Sequence, residues 1–587
     1  MLHQHFRFTW KVGGEAGFGI KVAGLSFAKA CMRAGYHTYD YSEYPSLIRG
    51  GHNTYQITIG TDEVNAVDQK VDILVALNKV AIDNHLGEMT AGSAIIYDGS
   101  EIKLAPAKFK EKGIHLISVP LKEISMATGG EIMRNVVAIG ATAGLTNLPI
   151  NILNEIIKEQ FAAKPHVIDM NIAALKQGSD YVKEKYSKLD FKVKLEPIAR
   201  EPRLLLPGNE ALGMGAIAGG LNFYSAYPMT PATSLMQYLA AQAVKTGVVV
   251  KHAEDEISVI NMALGAAHAG ARAMCGTSGG GYALMSEGLG LCAVSETPLV
   301  MVDVQRPGPA TGMPTWTDQG DLQFVLHAGQ GEFPRIVAAP GDVEECFYMG
   351  AESLNWAEKY QLPVILLSDK YLAEGASSVN KFDANRIKIE RGKLIAEGKV
   401  PKNYKRYKIT EDGISPRTIP GTKDGIYWAD SYEHDEYGYS SETVEDRVAQ
   451  VAKRNRKLET AAKELKGATW YGSPKAPLVI IAWGSTKGPI LDAIKMLHES
   501  KRKQVALLHV NIIWPFQKEI IGQALKVSTG LLAKPKKVVL VENNSEAQFG
   551  QLIRQETGVE IKDKILKYDG RPFFPEELAE KIVKFIK

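Results

Sequence analysis

Several short segments of this chain carry residue types whose spacing suits chemistry. Tyr227-Pro228-Met229-Thr230-Pro231 sets a threonine between two prolines, which fix the backbone and hold the hydroxyl in a preset direction. The plain alternative is a rigid loop before the helix-like run ATSLMQYLAAQAV, with Thr230 near its N-cap. Glu254-Asp255-Glu256 opens another helical run, where acidic side chains complement the helix dipole. Arg306 follows the strand-like TPLVMVDV and stands beside glycines that permit close approach, an arrangement that suits a planar carboxylate or a surface ion pair. Gly13-Gly14-Glu15-Ala16-Gly17-Phe18-Gly19 lies between a strand and a helix, where a backbone can approach phosphate at the positive end of a dipole. A tight strand–helix connection explains it equally well, and Glu15 would repel phosphate. Asp40 stands at about the spacing of a dinucleotide site's acidic residue, although YDYSEYPSLIRGGHN around it is not ordinary dinucleotide-fold sequence. Glu433-His434-Asp435-Glu436 could bind a cation on spacing alone, or be a solvated loop.

The elements that must position these groups read as three successive α/β units. Residues 1–185 alternate strands (FRFTWKV, VDILVALN, GSAIIYDG) with helical segments, and residues 186–207 form a charged linker. A second unit spans 208–375, with strands ARAMCGTS, TPLVMVDV and LPVILLSD. From 376 to 470 the periodicity weakens into a surface excursion that ends in a charged helix. Residues 471–587 form the third unit, with strands APLVIIAWG, KQVALLHVN and KKVVLVEN.

Composition narrows the classes. The 587 residues are 45% hydrophobic and 23% charged with a net charge of +3, an ordinary globular balance with no basic stripe for nucleic acid. The N-terminus lacks the apolar core of a signal peptide. The uncharged stretch from Ala211 to Met229 is rich in Gly and Ala and suits a buried helix running into a turn better than a membrane span, so a cytoplasmic protein is expected. Cys31, Cys275, Cys292 and Cys346 have no metal-ligand spacing, so no metal site is expected on this chain.

Glu43-Tyr44-Pro45-Ser46-Leu47-Ile48-Arg49-Gly50-Gly51-His52-Asn53 resembles the signature of the gamma domain of 2-oxoacid:ferredoxin oxidoreductases, and Arg134 to Ala141 resembles a later helix of that domain. The Tyr227–Pro231 segment is similar to the Tyr-Pro-Ile-Thr-Pro motif of the family's alpha subunit. Val541-Glu542-Asn543-Asn544 to Leu552 looks like the C-terminal domain shared with transketolases. The resemblance covers nearly the whole chain. It implies a gamma domain, a pyrimidine-binding thiamine diphosphate domain and a transketolase C-terminal-like domain, in that order.

The resemblance also implies site roles. Thr230 faces the substrate and the cofactor, together with Tyr227 and Pro228. Glu256, with Glu254 as alternative, promotes the imino tautomer of the aminopyrimidine. Arg306 holds the 2-oxoacid carboxylate, near Thr315 and Trp316. Gly13, Gly14, Gly17, Gly19 and Arg49 belong to the coenzyme A-associated domain. Gln319 and Asp321 complete the likeness without an assigned role, and a Glu-His-Asp-Glu stretch also occurs in the family. No Gly-Asp-Gly tripeptide and no clustered cysteines occur. Mg2+, the diphosphate half of the site and a 4Fe-4S cluster are therefore expected on a separate beta subunit, in a heterodimer or a dimer of heterodimers that reduces ferredoxin.

The reaction implied is 2-oxoacid, coenzyme A and oxidised ferredoxin giving acyl-CoA, CO2 and reduced ferredoxin, with 2-oxoglutarate as the expected acid. Where family members that prefer 2-oxoglutarate carry Lys or Arg, this chain has Trp316. That change leaves pyruvate or a branched 2-oxoacid as a competitor and predicts a modest preference. The remaining alternatives are a non-oxidative thiamine-dependent enzyme and a non-catalytic nucleotide-binding subunit.

Overall fold

The computed structural model describes residues 6–47, 50–525 and 536–586. The chain divides into two compact units. The first takes the sequence up to Leu206 together with Gly375–Lys381 and Phe574–Glu577, and the second takes the remainder.

The first unit is built on an eight-stranded sheet. In spatial order its strands are His115–Ser118, Met89–Tyr97, Val71–Ala76, Arg7–Glu15, His52–Gly60, His37–Glu43, Ala376–Val379 and Leu204–Pro207. The first four run parallel, as expected where helices connect apolar strands. His52–Gly60 then pairs antiparallel with Arg7–Glu15 and with His37–Glu43, and Ala376–Val379 joins antiparallel at Ser377 opposite Tyr39. The helices Ile20–Arg33, Arg134–Thr146, Ile150–Gln160 and Ile168–Lys185 share one core with the sheet. Trp10 is fully buried there, 4.8 Å from Phe27, and its indole N–H donates to Thr142 Oγ1 at 3.2 Å. Gly140 explains the small-residue motif of its helix: a Cβ there would collide with the Leu175 carbonyl of the helix packed against it.

In the second unit six parallel strands stand in the order Ile336–Ala338, Pro363–Asp369, Leu299–Gln305, Ala273–Thr277, Phe223–Ala226 and Val249–His252. Ile512–Trp514 adds an antiparallel edge beside Ile336–Ala338. A second sheet orders Ala468–Tyr471, Val505–Val510, Leu478–Trp483, Lys537–Glu542 and Asp563–Leu566. One hydrophobic cluster, containing Cys275, Met301, Trp483 and Phe549, runs through both sheets. All four cysteines are buried and free, and burial pushes the Cys275 thiol up to about 12. Among the described residues no helix is long and apolar enough to cross a membrane.

The stretch from Phe382 to Thr443 is mostly irregular, yet it is anchored by charge. Glu296 is fully buried, with Lys453 Nζ 2.5 Å from one carboxylate oxygen and Lys457 on the other. Both lysines come from the helix Val444–Glu464. Arg406, in the irregular stretch, donates to the Glu296 carbonyl at 2.8 Å and to Gln361 Oε1 at 2.9 Å. The two ammonium groups hold the Glu296 carboxyl far below the usual range despite its burial. Removing one partner of such a cluster leaves a buried charge uncompensated, at a cost of about 3–5 kcal/mol. Glu296→Gln is therefore expected to lower the stability of the second unit by about that amount, read by urea unfolding. A change below about 1 kcal/mol would show that the cluster adds nothing net.

Candidate functional site

Four neighbouring parallel strands of the second unit end at the same edge, and three of them deliver segments singled out in the sequence. Phe223–Ala226 leads into Tyr227, Val249–His252 into Glu254–Glu256, Ala273–Thr277 into Gly279–Gly281, and Leu299–Gln305 into Arg306. Ligand sites of open α/β sheets form at this carboxyl edge.

Glu256 begins the helix Glu256–His268, which Asp255 caps by accepting from Ser258 N at 2.8 Å. Asp255 is thus the structural member of the acidic trio, and Glu254 is exposed. Glu256 is 3% exposed, and its Oε1 is buried without a hydrogen-bond partner. Burial, reinforced by the Asp255 charge, raises its pKa. A Cβ added to Gly281 would lie 2.5 Å from Glu256 Oε1 and closer still to Thr277 Oγ1, so a glycine is needed for the chain to pass this carboxyl. An unsatisfied buried carboxyl oxygen with a raised pKa fits the hydrogen-bonding edge of an aminopyrimidine.

The Tyr227–Pro231 loop reaches the same place. Thr277 Oγ1 contacts Met229 Sδ at 3.9 Å, and Arg306 Nη1 donates to the Thr230 carbonyl at 2.6 Å. The structure therefore brings Thr230, Arg306 and, through Met229 and Thr277, Glu256 into one group. Pro228 is half-buried, and Tyr227, 39% exposed, sets its ring edge-on to His252. Beyond Arg306 the chain turns back, with Met313 N donating to Pro307 O at 2.9 Å and Trp316 N to Met313 O at 3.1 Å. Thr315 is buried and Trp316 half-buried.

Two carboxyls face Arg306 electrostatically. Asp303 is fully buried with both oxygens unpartnered, and burial together with Asp321 pushes its pKa well up. Asp321 is also raised by burial, while Arg306 opposes the rise.

Sequence reasoning left Gln319 without a role; the structure makes it a clamp. It is fully buried: its N–H donates to the Asn543 carbonyl at 2.8 Å, its Oε1 accepts from Asn543 N at 2.9 Å, and its Nε2 donates to the Trp483 carbonyl at 3.0 Å. Asn544 donates back to the Gln319 carbonyl at 3.1 Å. Glu542, likewise buried, accepts from Phe549 N and Gly550 N at 3.0 Å, which accounts for the Val541–Leu552 segment. The Glu433–Glu436 segment is structural rather than solvated. Glu433 pairs with Arg454 at 2.7 Å, Glu436 pairs with Lys405, and His434 is buried between carbonyls of Asp435 and Val294. Among the described residues no His/Cys/Asp/Glu group of metal-binding shape occurs.

In the first unit the glycine loop separates into two parts. Gly13 and Gly14 are strand residues opposite Thr54 and Asn53. Gly17 and Gly19, both with positive φ, line a cavity of about 380 Å³ with Asn135, Lys164 and aliphatic side chains. Arg49 lies outside the described residues. Asp40 is buried and accepts from Tyr55 Oη at 2.6 Å and Ala376 N at 2.7 Å, on a strand in antiparallel pairing. It is a structural acid, and the dinucleotide reading of its spacing does not hold.

Residues 9–181 match the family described as pyruvate ferredoxin/flavodoxin oxidoreductase, and residues 214–453 its thiamine diphosphate-binding family. The 2-oxoacid:ferredoxin oxidoreductase subunit alpha of a Sulfolobus species is 35% identical over 99% of this chain and 97% of its own length. The 2-oxoglutarate oxidoreductase subunit KorA of Mycobacterium tuberculosis is 28% identical over 98% and 90%. The structure of 2-oxoglutarate:ferredoxin oxidoreductase from Magnetococcus marinus, with 2-oxoglutarate, coenzyme A and succinyl-CoA bound, superposes with a TM-score of 0.90 at 33% identity, covering 99% of this chain and all of that one. The fold and site thus define a thiamine diphosphate-binding oxidoreductase subunit of a multi-subunit enzyme. The chain belongs to the 2-oxoacid:ferredoxin oxidoreductase family, as an alpha subunit with a fused gamma domain.

The carboxyl cluster at the sheet edge has a pH signature. Burial, with Asp321 and Asp369 adding, pushes Asp318 up to about 7. The native chain keeps a proton that the unfolded chain releases near pH 4, so Asp318 disfavours the fold increasingly as pH rises from about 4 to 7. Asp318→Asn is expected to raise the melting temperature at about pH 8 and to leave it unchanged near pH 4. No gain at the higher pH would show that Asp318 ionises normally.

Proposed function

We propose that this chain supplies the aminopyrimidine half of an interfacial site that oxidatively decarboxylates 2-oxoglutarate with coenzyme A, giving succinyl-CoA, CO2 and reduced ferredoxin. The observation that carries the reading is Glu256: a buried carboxyl with one unsatisfied oxygen, at the sheet edge where Arg306 and Thr230 are joined. The names of the 2-oxoglutarate-acting relatives support the choice of acid. When bound, thiamine diphosphate supplies the nucleophilic carbon and electron sink that decarboxylation of a 2-oxoacid requires.

The chain's own residues bind and poise. Glu256 would hold the aminopyrimidine edge and share its proton there, which its raised pKa favours. Arg306, fixed by the Thr230 carbonyl, offers its remaining donors to the C1 carboxylate. The Thr230 hydroxyl lies on the same loop, where it can orient the oxo group. The missing Gly-Asp-Gly tripeptide and cysteine cluster support a beta subunit that carries Mg2+, the diphosphate and a 4Fe-4S cluster, with this chain active only in its company. The gamma unit takes part in coenzyme A binding, with Gly17 and Gly19 at its cavity.

The test is the coexpressed alpha–beta complex. It should reduce ferredoxin only when a 2-oxoacid and coenzyme A are both present, and fastest with 2-oxoglutarate; acceptor reduction with no 2-oxoacid would sink the reading. Within that complex Glu256→Gln should fold normally and slow exchange of the thiamine C2 proton by about 10²–10⁴-fold, measured by NMR after acid quench. A near-normal rate would move the role to another group. Arg306→Ala should raise KM for every 2-oxoacid by about 10–150-fold, since all share the C1 carboxylate. Unchanged KM with reduced stability would make Arg306 structural.

A further inference from the structure

The turn that follows Arg306 is met by a loop from late in the sequence. The loop after the strand Asp563–Leu566 packs on the turn that begins at Arg306. Thr317 N donates to the Gly570 carbonyl at 3.2 Å, and a Cβ on Gly570 would lie 3.0 Å from Met313 Cε. Arg571 follows, and the carbon of its guanidinium lies 3.2 Å from the centre of the Trp316 ring. The guanidinium thus sits over the indole ring in a cation–π contact. The loop itself is set by Asp569, whose side chain accepts from Arg571 N at 2.9 Å and whose carbonyl accepts from Arg571 Nη1 at 3.4 Å.

The contact has a chemical consequence. Stacking uses the face of a guanidinium, whereas its five N–H donors lie in the plane and meet a carboxylate at the edge. The indole therefore fixes the orientation of Arg571 and lowers the entropy lost when a carboxylate is bound. Arg306 and Trp316 are the two ends of one folded-back turn, closed by the Met313–Pro307 bond. Two guanidinium groups thus belong to this turn, one at its start and one held on its last aromatic side chain. A 2-oxo monocarboxylate has use for one of them, whereas a 2-oxo dicarboxylate has use for both.

We propose that Arg571, held on Trp316, receives the distal carboxylate of the substrate, so that this site selects 2-oxo dicarboxylates. The proposal rests on the oxidoreductase reading above and reverses the expectation drawn from Trp316 alone. The indole is the platform for the cation rather than its replacement. No local pattern marks Arg571, because its partner is distant in sequence and the fold brings the two together.

The alpha–beta complex decides it through kcat/KM for 2-oxoglutarate and pyruvate, together with competitive inhibition by glutarate and by butyrate. The wild type should favour 2-oxoglutarate by more than about tenfold. Arg571→Gln should lower kcat/KM for 2-oxoglutarate by about 10–150-fold and weaken glutarate inhibition similarly, with pyruvate and butyrate constants within about threefold. Arg571→Lys, which keeps the charge but not the fork, should fall between the two. An unchanged substrate ratio in Arg571→Gln, a parallel loss on both substrates, or a wild type that prefers pyruvate would each overturn the proposal. Should Arg571→Gln fold poorly, the ratio in Arg571→Lys decides: a wild-type value in a stable protein shows that the fork is not used and also overturns it. Failure of the underlying reading looks different, because the wild-type complex would then reduce no acceptor with any 2-oxoacid.

Discussion

Gln319 holds its backbone and its side-chain amide against Asn543 and Trp483 at the same time, in a place no water reaches. Each such bond adds only about 0.5–1.5 kcal/mol net, but leaving these buried groups unpaired would cost about 1–3 kcal/mol apiece. The geometry is therefore close to all-or-none. On one side of Gln319 the chain runs back through Thr317 and Trp316 to Arg306; on the other, Asp321 lies beside the carboxyl of Asp303. Every substrate-facing group proposed for the Arg306–Trp316 turn inherits its position from this clamp. The C-terminal sheet thus acts as the second jaw of the site, since Trp483 and Asn543 both lie at the ends of its strands.

The same division of labour appears among the carboxyls. Asp255 caps a helix and Asp40 satisfies a tyrosine and a backbone amide, so both serve the framework. Glu256 and Asp303 keep unpartnered oxygens at comparable burial. Folding is a demanding accountant of polar groups, and orphaned ones are retained where a ligand or a shared proton completes them. Of the acidic side chains singled out in the sequence, satisfaction separates framework from chemistry better than residue type does.

Much of the site was legible because its information is local. Proline flanks define the Thr230 loop, strand ends deliver Arg306 and Glu256, and apolar runs give the parallel strands their order of appearance. What stayed hidden depends on distant partners. Gln319 reads as any polar loop residue until Asn543 lies beside it. Glu433–Glu436 looks solvated until Arg454, Lys405 and the Val294 carbonyl close around it. Gly13 and Gly14 share a tripeptide-scale pattern with Gly17 and Gly19, but antiparallel pairing with His52–Gly60 extends the strand through them. Period and turn chemistry carry no signal for that register.

The strand Ala376–Val379 lies between His37–Glu43 and Leu204–Pro207 in the first unit's sheet, tied by Ser378 Oγ to Thr38 N at 2.8 Å. Its position in the sequence comes after all six parallel strands of the second unit. During vectorial synthesis on a ribosome, the N-terminal sheet therefore emerges with a gap in its hydrogen-bonding row. The unpaired edge of His37–Glu43 must wait for a strand made much later, and the nascent chain carries an open sheet margin for that whole interval. A polypeptide stopped at Leu206 has everything needed for the hydrophobic core of this unit but not for its edge. Completion of the first-made unit's sheet is thus coupled to translation of the second unit's parallel strands.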